Sequence, residues 1–439
     1  MQMNDMILVS VDDHIIEPAN LFERHVSAKY KDQAPRVVTF RGGEQRWKFQ
    51  DRLIPTIASC AVSGRKREEL GAEASNYEDM RSGCYDSAAR VADMNANGVL
   101  SSVCFPTMTG FAGQLFLDKS DPDLMLAMIR AYNDWHVQDW CGPHPGRFIP
   151  LGFVPLWDTD LAIAEIERMA RMGVRTVCLP ENPSALGLPS IHRDYWLPVL
   201  DALVDHDMVV SIHIGTAGPP PYPSMDTPQD WFNSVINLLA AHTMADWVFS
   251  PVLRKAPDLR IALSEGCMGW VPFMLERVDA AYDNHRFWTY QNLGELRPSD
   301  LIKRHFMFCF HEDQFGLEQR HKVGIDRIGW ECDYPHCDST WPTSPEKLWE
   351  QVNSFPAAEI ERISHANALD FFKFDPFVHV PREQATVGAL RALAAGHDTS
   401  ERSLGGSGRH PELDPELNVL TARALQNLHE QLIKLEPAE

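Results

Sequence analysis

The chain has 439 residues, with 61 acidic against 40 basic side chains and a net charge of −21 when histidine is neutral. An acidic excess of this size argues against a nucleic-acid partner or an anionic membrane surface, because both recruit proteins through a basic footprint. A hydrophobic fraction of 44% with 23% charged residues is typical of a globular enzyme and excludes a disordered chain. The length fits two or three average domains, or one α/β barrel with insertions.

The beginning of the chain and its cysteines indicate the compartment. Residues 1–11 contain one short apolar run, without the basic segment and small-residue cleavage site of a signal peptide. No apolar stretch approaches the roughly 20 residues that cross a bilayer. The nine cysteines never form a C-x-x-C motif, a pattern typical of reduced thiols. We therefore expect a cytoplasmic protein without a membrane span.

Eight short apolar runs alternate with stretches of helical periodicity. The runs are Ile7–Val11, Val99–Phe105, Phe148–Phe153, Val174–Leu179, Met208–Ile212, Leu259–Leu263, Phe306–Phe310 and Arg327–Trp330. The helical candidates include Ser87–Asn97, Pro122–Cys141, Ala162–Met172, Tyr195–His206, Trp231–Lys255 and Met268–His285. Eight buried strands alternating with helices predict an α/β fold of the (β/α)8 TIM-barrel type. An open doubly wound sheet is the alternative, but its usual glycine-rich phosphate loops are missing.

An insertion of residues 19–86 separates the first strand from its helix. Within it, Val37–Phe40 and Arg46–Phe49 flank the pair Gly42-Gly43, which predicts a small hairpin. Long connections in a barrel usually serve the mouth. We therefore expect residues 19–86 to cap the mouth of a barrel formed by residues 1–374.

The tail, residues 375–439, follows the last barrel helix. It contains a Gly/Ser-rich stretch at Leu404–Gly408 and a helical pattern at Leu417–Leu435. Two interpretations are open: a flexible linker with a terminal helix, or an arm that packs on a neighbouring subunit.

The carboxyl ends of barrel strands carry the chemistry in this fold, so the residues that follow each run are informative. Asp12 and His14 follow the first run and, being two apart, project from one face. His213 follows the fifth run, Glu265 the sixth and Asp333 the eighth. Taken singly, such residues are ordinary caps, turn acids or core histidines. Together at the mouth of one barrel, they predict a divalent metal site.

Further candidates lie near the same ends. Glu17 follows His14 by three residues, and His311 follows the seventh run. His336 and His192 fall in predicted loops, which places them at the surface or in a substrate pocket. Nothing in the sequence would activate Cys332 or Cys267 as a nucleophile, and no G-x-S-x-G motif is present.

The same residues resemble those of the amidohydrolase-related metal-dependent hydrolases, the branch that includes the aminocarboxymuconate-semialdehyde decarboxylase type. The resemblance spans about residues 6–374. Its motifs are SVDDHIIEP (10–18), NDWHVQDWCGPHPGRF (133–148), SIHIG (211–215), LSEGCMGWVPFMLERVD (263–279), RIGWECDYPHCDSTWP (327–342) and HANALDFF (365–372). It implies a (β/α)8 barrel whose metal ligands match Asp12, His14, His213 and Asp333.

Two positions depart from that family pattern. The common His-x-His of strand one is Asp12-x-His14, and Glu265 replaces a strand-six histidine that many members use. Strand four also lacks the lysine of binuclear members, so a carbamate bridge is not expected. If Glu17 and Glu265 join the cluster, it has four carboxylates and two histidines, with His311 as a third. Such a set suits manganese or iron at least as well as zinc.

The leading hypothesis is metal-assisted hydrolysis or decarboxylation of a small organic acid, amide or ester. The ion would activate water while Asp333 or Glu265 acts as general base, with His311 as a further catalytic candidate. The alternative is a non-haem di-iron monooxygenase on the same barrel, with two Fe ions, and a third reading is a non-catalytic metal-binding barrel. The expected partner is a small-molecule substrate, and large apolar-faced helices such as Trp231–Lys255 predict a homo-oligomer.

Overall fold

The computed structural model describes residues 1–71, 73–403 and 411–433. Their strands are β1 Val9–His14, β2 Arg36–Thr39, β3 Gln45–Phe49, β4 Arg52–Leu53, β5 Ser101–Phe105, β6 Phe148–Ile149, β7 Leu151–Gly152, β8 Thr176–Cys178, β9 Val209–His213, β10 Ile261–Ser264, β11 Phe306–Phe310 and β12 Ile328–Trp330. Their α-helices are α1 Leu21–His25, α2 Ser87–Asn97, α3 Pro122–Trp135, α4 Thr159–Arg171, α5 Leu197–Asp205, α6 Gln229–Val235, α7 Leu238–Phe249, α8 Val252–Lys255, α9 Val271–Thr289, α10 Pro298–His305, α11 Gln314–Glu318, α12 Arg320–Val323, α13 Ser344–Val352, α14 Ala357–Glu361, α15 Asn367–Phe372, α16 Val387–Leu393 and α17 Ala422–Ile433.

The barrel is built from parallel strands in the order β1-β5-β6 and β7-β8-β9-β10-β11-β12. β6 and β7 are two halves of one strand, divided at Pro150, which has no N–H to give to a ladder. Past β12, the Asp333 N–H donates to the Asp12 carbonyl at 2.9 Å, and the His14 N–H donates to the Tyr334 carbonyl at 2.7 Å. These bonds join the two ends of the (β/α)8 barrel, and the eight predicted strands are confirmed.

The first strand is longer than predicted. It runs to His14, not to Val11, because Asp13 and His14 pair with Cys104 and Phe105 of β5. A bulge between Ser10 and Asp13 inserts one extra residue into this pair. Asp12 and His14 are therefore held within the sheet rather than in a loop after it.

Apolar side chains from the strands fill the interior of the barrel, among them Val9, Val11, Val103, Ile149, Val209, Ala262 and Met307. A second, larger set packs between the strands and the surrounding helices. Since the interior is filled, a ligand can approach only at an end of the barrel.

Local sequence signals explain the helix boundaries. The Asp86 carboxylate accepts the Ala89 N–H at the start of α2, and Gly98, at φ 72°, ends that helix in the left-handed conformation. The single helix predicted at Trp231–Lys255 is wrong: three helices, α6, α7 and α8, lie there, and Pro251 prevents continuation of α7. None of the helices in the described ranges has the length and apolarity needed to span a bilayer.

The insertion contains the predicted hairpin. β2 and β3 are antiparallel, with Val37 opposite Trp47, and β4 adds a third strand. Further along, the N–H groups of Val62 and Ser63 both donate to the Pro335 carbonyl at 2.9 Å. The insertion thus packs on the loop that follows β12.

The tail packs on its own chain. α16 lies against the beginning of the chain, where the Val387 N–H donates to the Met6 carbonyl at 2.8 Å. α17 falls within the predicted helical pattern Leu417–Leu435 but begins later, at Ala422. The predicted linker Leu404–Gly408 and the residues after Ile433 lie outside the described ranges.

Acid should destabilise the fold through His136. Its Nε2 accepts the Leu151 N–H at 3.3 Å, and burial lowers its pKa to about 3. Below about pH 6.5 His136 is protonated in the unfolded chain but stays neutral in the folded chain. The stability of the folded chain therefore decreases as the pH falls from about 6.5 towards 3. We expect the free energy of unfolding to fall by about 1.4 kcal/mol more per pH unit in the wild type than in His136→Gln.

The measurement is urea unfolding between pH 6 and 4 in the presence of a chelator. His192→Gln, which alters a half-exposed histidine paired with Asp246, is the control and should follow the wild-type slope. Parallel pH profiles for the wild type and His136→Gln would contradict the assignment.

Candidate metal centre and active site

Four of the predicted ligands converge on one point at the carboxyl ends of the strands. The His14 Nε2 lies 3.2 Å from the His213 Nε2, 3.3 Å from the Asp333 Oδ1 and 3.5 Å from the Asp12 Oδ1. The His213 Nε2 lies 3.4 Å from the Asp12 Oδ2. All four side chains are at most 1% exposed, so the cluster is enclosed by protein.

Glu265 completes this cluster. Its Oε1 lies 3.9 Å from the His14 Nε2, and its Oε2 lies 3.6 Å from the His213 Nε2. Its backbone is fixed on both sides: the N–H donates to the Glu331 Oε2 at 3.2 Å, and the carbonyl accepts from the Asn237 Nδ2 at 2.5 Å. Asn237 lies at the break between α6 and α7. The break that the sequence did not predict thus helps to position Glu265.

Backbone conformation also directs two of the carboxylates. Glu265 has φ 55° and Asp333 has φ 58°, values in the left-handed region that residues other than glycine seldom adopt. Glu265 directly follows β10, and Asp333 lies three residues after the end of β12. Such strained positions persist where surrounding bonds hold them, and they concentrate at functional sites.

Burial and like charges set the protonation of the cluster. Burial, together with Glu331, Glu265 and Asp333, raises the pKa of Asp12 well above its ordinary value. Burial and then Glu265 raise the pKa of Asp333 in the same way. Burial lowers the pKa of His14 and that of His213, so both imidazoles are neutral and have lone pairs for a metal.

The cluster fits a divalent metal ion. Both carboxylate oxygens of Asp12 and both of Asp333 are buried without a hydrogen-bond partner, a costly state for acceptors. A shared cation would satisfy these oxygens, since metal–ligand distances are typically about 2.0–2.2 Å. Ligand atoms that surround one ion are then separated from each other by distances similar to those between the atoms of these four side chains. The sequence and the geometry therefore agree on a divalent metal site.

His336 belongs to the site, although the sequence placed it in a loop or substrate pocket. Its ring stacks on His14 with centroids 3.7 Å apart. Its Nδ1 lies 3.0 Å from the Asp333 Oδ1 and 3.3 Å from the Glu265 Oε1. A turn in which the His336 N–H donates to the Asp333 carbonyl brings the two residues together. In the sequence, the three-residue spacing between Asp333 and His336 was the feature that could have indicated this turn.

Glu331 and Phe111 were also missed. Glu331 is fully buried, and burial raises its pKa to about 6. It lies two residues before Asp333, so the period of a strand could have indicated it. Phe111 packs on His14 and His213, with its ring 4.1 Å from that of His213, and no sequence pattern pointed to it.

Two predicted site residues lie apart from the ligands. Both Glu17 oxygens accept backbone N–H groups, from Thr107 at 3.0 Å and Met108 at 2.8 Å, because the chain turns away from the cluster after His14. Burial raises the pKa of Glu17 to about 7. The His311 Nδ1 lies 3.8 Å from the Glu331 Oε1, so His311 reaches the cluster through Glu331.

The cysteines give no alternative nucleophile at this site. Burial raises the pKa of Cys332 to about 12, and burial likewise raises that of Cys267. Both thiols therefore stay protonated at neutral pH, as the sequence indicated.

Residues 25–374 match the family model described as amidohydrolase. The match covers most of the chain, and the protein belongs to the amidohydrolase family. The resemblance found in the motifs is thereby confirmed. Enzymes of this kind are metal-dependent hydrolases or lyases, and the carboxylate and imidazole cluster at the barrel mouth agrees with that class.

Individual relatives are distant but extensive. The 2-amino-3-carboxymuconate-6-semialdehyde decarboxylase of Dictyostelium discoideum is 24% identical over 313 residues, covering 68% of this chain and 80% of the relative. The gamma-resorcylate decarboxylase of Rhizobium sp. (strain MTP-10005) is 24% identical over 279 residues, covering 57% of this chain and 77% of the relative. The 5-carboxyvanillate decarboxylase of Novosphingobium aromaticivorans DSM 12444, solved with manganese and 4-hydroxy-3-methoxy-5-nitrobenzoic acid, has 17% identity, a TM-score of 0.58 and coverage of 85% and 100%.

The ligand assignment predicts the metal content of single variants. We expect His213→Ala to lower the bound metal at least tenfold, because it removes one of two imidazole ligands. Glu17→Gln should retain its metal, since Glu17 bonds only to backbone N–H groups. Elemental analysis after gel filtration measures both. Full occupancy in His213→Ala, or an empty site in a folded Glu17→Gln, would contradict the assignment.

Proposed function

We propose that the protein is a metal-dependent decarboxylase of small aromatic or unsaturated carboxylic acids, with the ion held by Asp12, His14, His213 and Asp333. The observation that carries the proposal is the set of unpartnered carboxylate oxygens and neutral imidazoles around one point. Two relatives are named as decarboxylases of such acids, which supports this reaction over hydrolysis of an amide or ester.

Manganese is the metal we propose. The ligand set contains more oxygen than nitrogen when Glu265 is included, and hard oxygen ligands suit manganese. The carboxyvanillate decarboxylase of similar fold was solved with manganese. When bound, a divalent cation polarises a substrate oxygen and stabilises the negative charge that develops during the reaction.

Decarboxylation needs a proton at a defined place. The bond between the carboxyl carbon and its neighbour breaks, CO₂ leaves, and the electron pair remains on the neighbouring carbon, which then takes a proton. His336 lines a cavity beside the cluster, and its Nδ1 contacts Asp333 and Glu265. We infer that His336 donates this proton to the carbon and is then protonated again by solvent.

The remaining carboxylates orient this proton donor. Burial opposes ionisation of Glu265, yet the neighbouring His213 and His336 outweigh it and hold the pKa of Glu265 below its usual value. Glu265 is therefore ionised at neutral pH and accepts the His336 hydrogen bond. Burial lowers the pKa of His311, but Glu331 raises it overall to about 9, so the pair His311–Glu331 is charged and supports the Glu265 N–H. If the substrate were an amide or ester, Asp333 or Glu265 would instead act as the base.

The di-iron oxygenase remains a prediction without support from the relatives described above. Its cluster would hold two irons and its turnover would need oxygen, whereas decarboxylation needs neither. The comparison of aerobic and anaerobic turnover therefore separates the two functions.

We also propose a cytoplasmic homo-oligomer. The free state of all nine cysteines supports a reducing compartment. Exposed aromatic side chains near the end of α9, namely Phe287, Trp288 and Tyr290, support an interface. The division into a barrel of residues 1–374 and a tail of residues 375–439 is likewise proposed, supported by the family match that ends at residue 374.

A substrate screen tests the reaction. The manganese-loaded protein should release CO₂ under anaerobic conditions from at least one member of a panel of hydroxybenzoates and unsaturated dicarboxylic acids. Chelation should abolish release, and added manganese should restore it. Cleavage of amides or esters without CO₂ release would replace decarboxylation by hydrolysis, and strictly oxygen-dependent turnover with two bound irons would favour the oxygenase.

His336 provides the test of proton transfer. We expect His336→Asn to lower kcat by about 10²- to 10⁴-fold, the usual contribution of a general acid or base, while metal content stays near one ion per chain. His192→Asn, which changes a surface histidine, is the matched control and should leave kcat unchanged. A His336→Asn enzyme with metal and wild-type kcat would contradict the assigned role.

A further inference from the structure

The chain continues for 65 residues beyond residue 374, where the family match ends. Its described parts, residues 375–403 and 411–433, do not extend away from the barrel. α16 lies against the beginning of the chain, whereas residues 397–403 and 420–423 contact two different regions near the mouth. The tail is thus an addition of this chain to the part it shares with the family.

One contact region of the tail, residues 397–403, packs on the insertion and α2. The Arg402 N–H donates to the Gly64 carbonyl at 2.7 Å. The Arg81 Nη2 donates to the Asp398 carbonyl at 2.9 Å. The His397 Nε2 lies 2.7 Å from the Asp93 Oδ1. These three bonds fix residues 397–403 beside the residues that cap the barrel.

Asp93 connects this region to the metal centre. Its Oδ2 accepts the Tyr334 hydroxyl at 2.6 Å, and its carbonyl accepts the Trp341 Nε1 at 3.1 Å. Tyr334 lies between Asp333 and His336, and its carbonyl accepts the His14 N–H. The tail therefore binds the network that positions the loop after β12.

The other contact region of the tail, residues 420–423, packs on the loop that follows β9. The Gln229 N–H donates to the Leu420 carbonyl at 2.8 Å, and the Ala422 N–H donates to the Thr227 carbonyl at 3.0 Å. Arg423 pairs with Asp226 at 3.1 Å. This loop starts directly after the metal ligand His213, so the tail is tied to both sides of the barrel mouth.

A cavity of about 560 Å³ lies between the insertion, the loop after β12 and the tail. Its lining includes His311 and His336 from the site, and Thr399 and Glu401 from the tail. A volume of this size is within the range of small-molecule sites. Tail residues and the inferred proton donor thus face the same space.

We propose that residues 397–403 form a wall of the substrate cavity and limit the size of the acids that reach His336. This inference rests on the proposed function for the identity of the substrate, but the wall itself is defined by geometry. Thr399 and Glu401 line this cavity from the side of the tail.

The first experiment tests whether residues 397–403 obstruct the cavity, without measuring catalysis. Cys337 lines the same cavity and has an exposed side chain, so the rate at which a bulky maleimide alkylates it, followed by peptide mass spectrometry, reports how far residues 397–403 obstruct access. A folded, metal-loaded chain ending at Gly396 should react at Cys337 at least fivefold faster than the full chain. An equal rate in a folded, metal-loaded truncation would overturn the proposal.

The second experiment keeps the chain intact, in case the truncated chain does not fold. Thr399→Trp should slow alkylation of Cys337 at least threefold and raise KM for the larger acids of a substrate series more than KM for the smallest acid. Ser400→Trp is the matched control, because Ser400 does not line the cavity. Identical behaviour of the two variants would refute the wall. Slower alkylation without decarboxylation of any acid would retain the wall and reject the proposed function.

Discussion

Three buried carboxylates and the partly buried Glu265 share the mouth of this barrel, and the rest of the site is arranged around their repulsion. Burial raises the pKa of Asp12, Glu331 and Asp333, and each neighbouring carboxylate adds to the shift. Glu265 is the exception because it lies beside His213 and His336. Without a cation, such a group can be accommodated only by taking up protons, since buried like charges cannot all ionise. A divalent ion permits full ionisation and satisfies the unpartnered oxygens at once.

The bonds that close the barrel are the same bonds that bring these charges together. β1 and the segment after β12 are joined by Asp333 to Asp12 and by His14 to Tyr334, so the ligands at the two ends of the sheet cannot separate while the barrel is closed. Asp13, between two ligands, accepts the Tyr334 N–H at 3.0 Å. Barrel closure therefore supplies much of the preorganisation that a metal site needs, and metal binding should in turn stabilise that closure.

The sequence predicted what depends on repeating rules. Strand patterning located the eight strands, and the rule that chemistry lies at strand ends selected Asp12, His14, His213 and Asp333. His336 was predicted at the surface or in a substrate pocket but not beside the ligands, because its position depends on a turn and on stacking against His14, which periodicity does not encode. Glu17 was included on sequence proximity, yet three residues past the end of β1 the chain has already turned towards Thr107 and Met108. The tail was ambiguous because its contacts with residues 64 and 225–229 are distant in sequence.

The proposed metal ligands and the walls of the cavity come from different parts of the chain. Of the proposed metal ligands, Asp12 and His14 lie on β1 and His213 lies on β9, while Asp333 follows β12 and is held by its backbone bond to Asp12. The cavity wall comes from the insertion, from the loop after β12 and from the tail, three segments that the sheet does not constrain. Substitutions at cavity-lining positions of the tail, such as Thr399, would change the lining of the cavity and leave the hydrogen bond between Asp12 and Asp333 in place. The size of the acids that reach the proposed site would therefore depend on these segments, while the arrangement of Asp12, His14, His213 and Asp333 stays fixed.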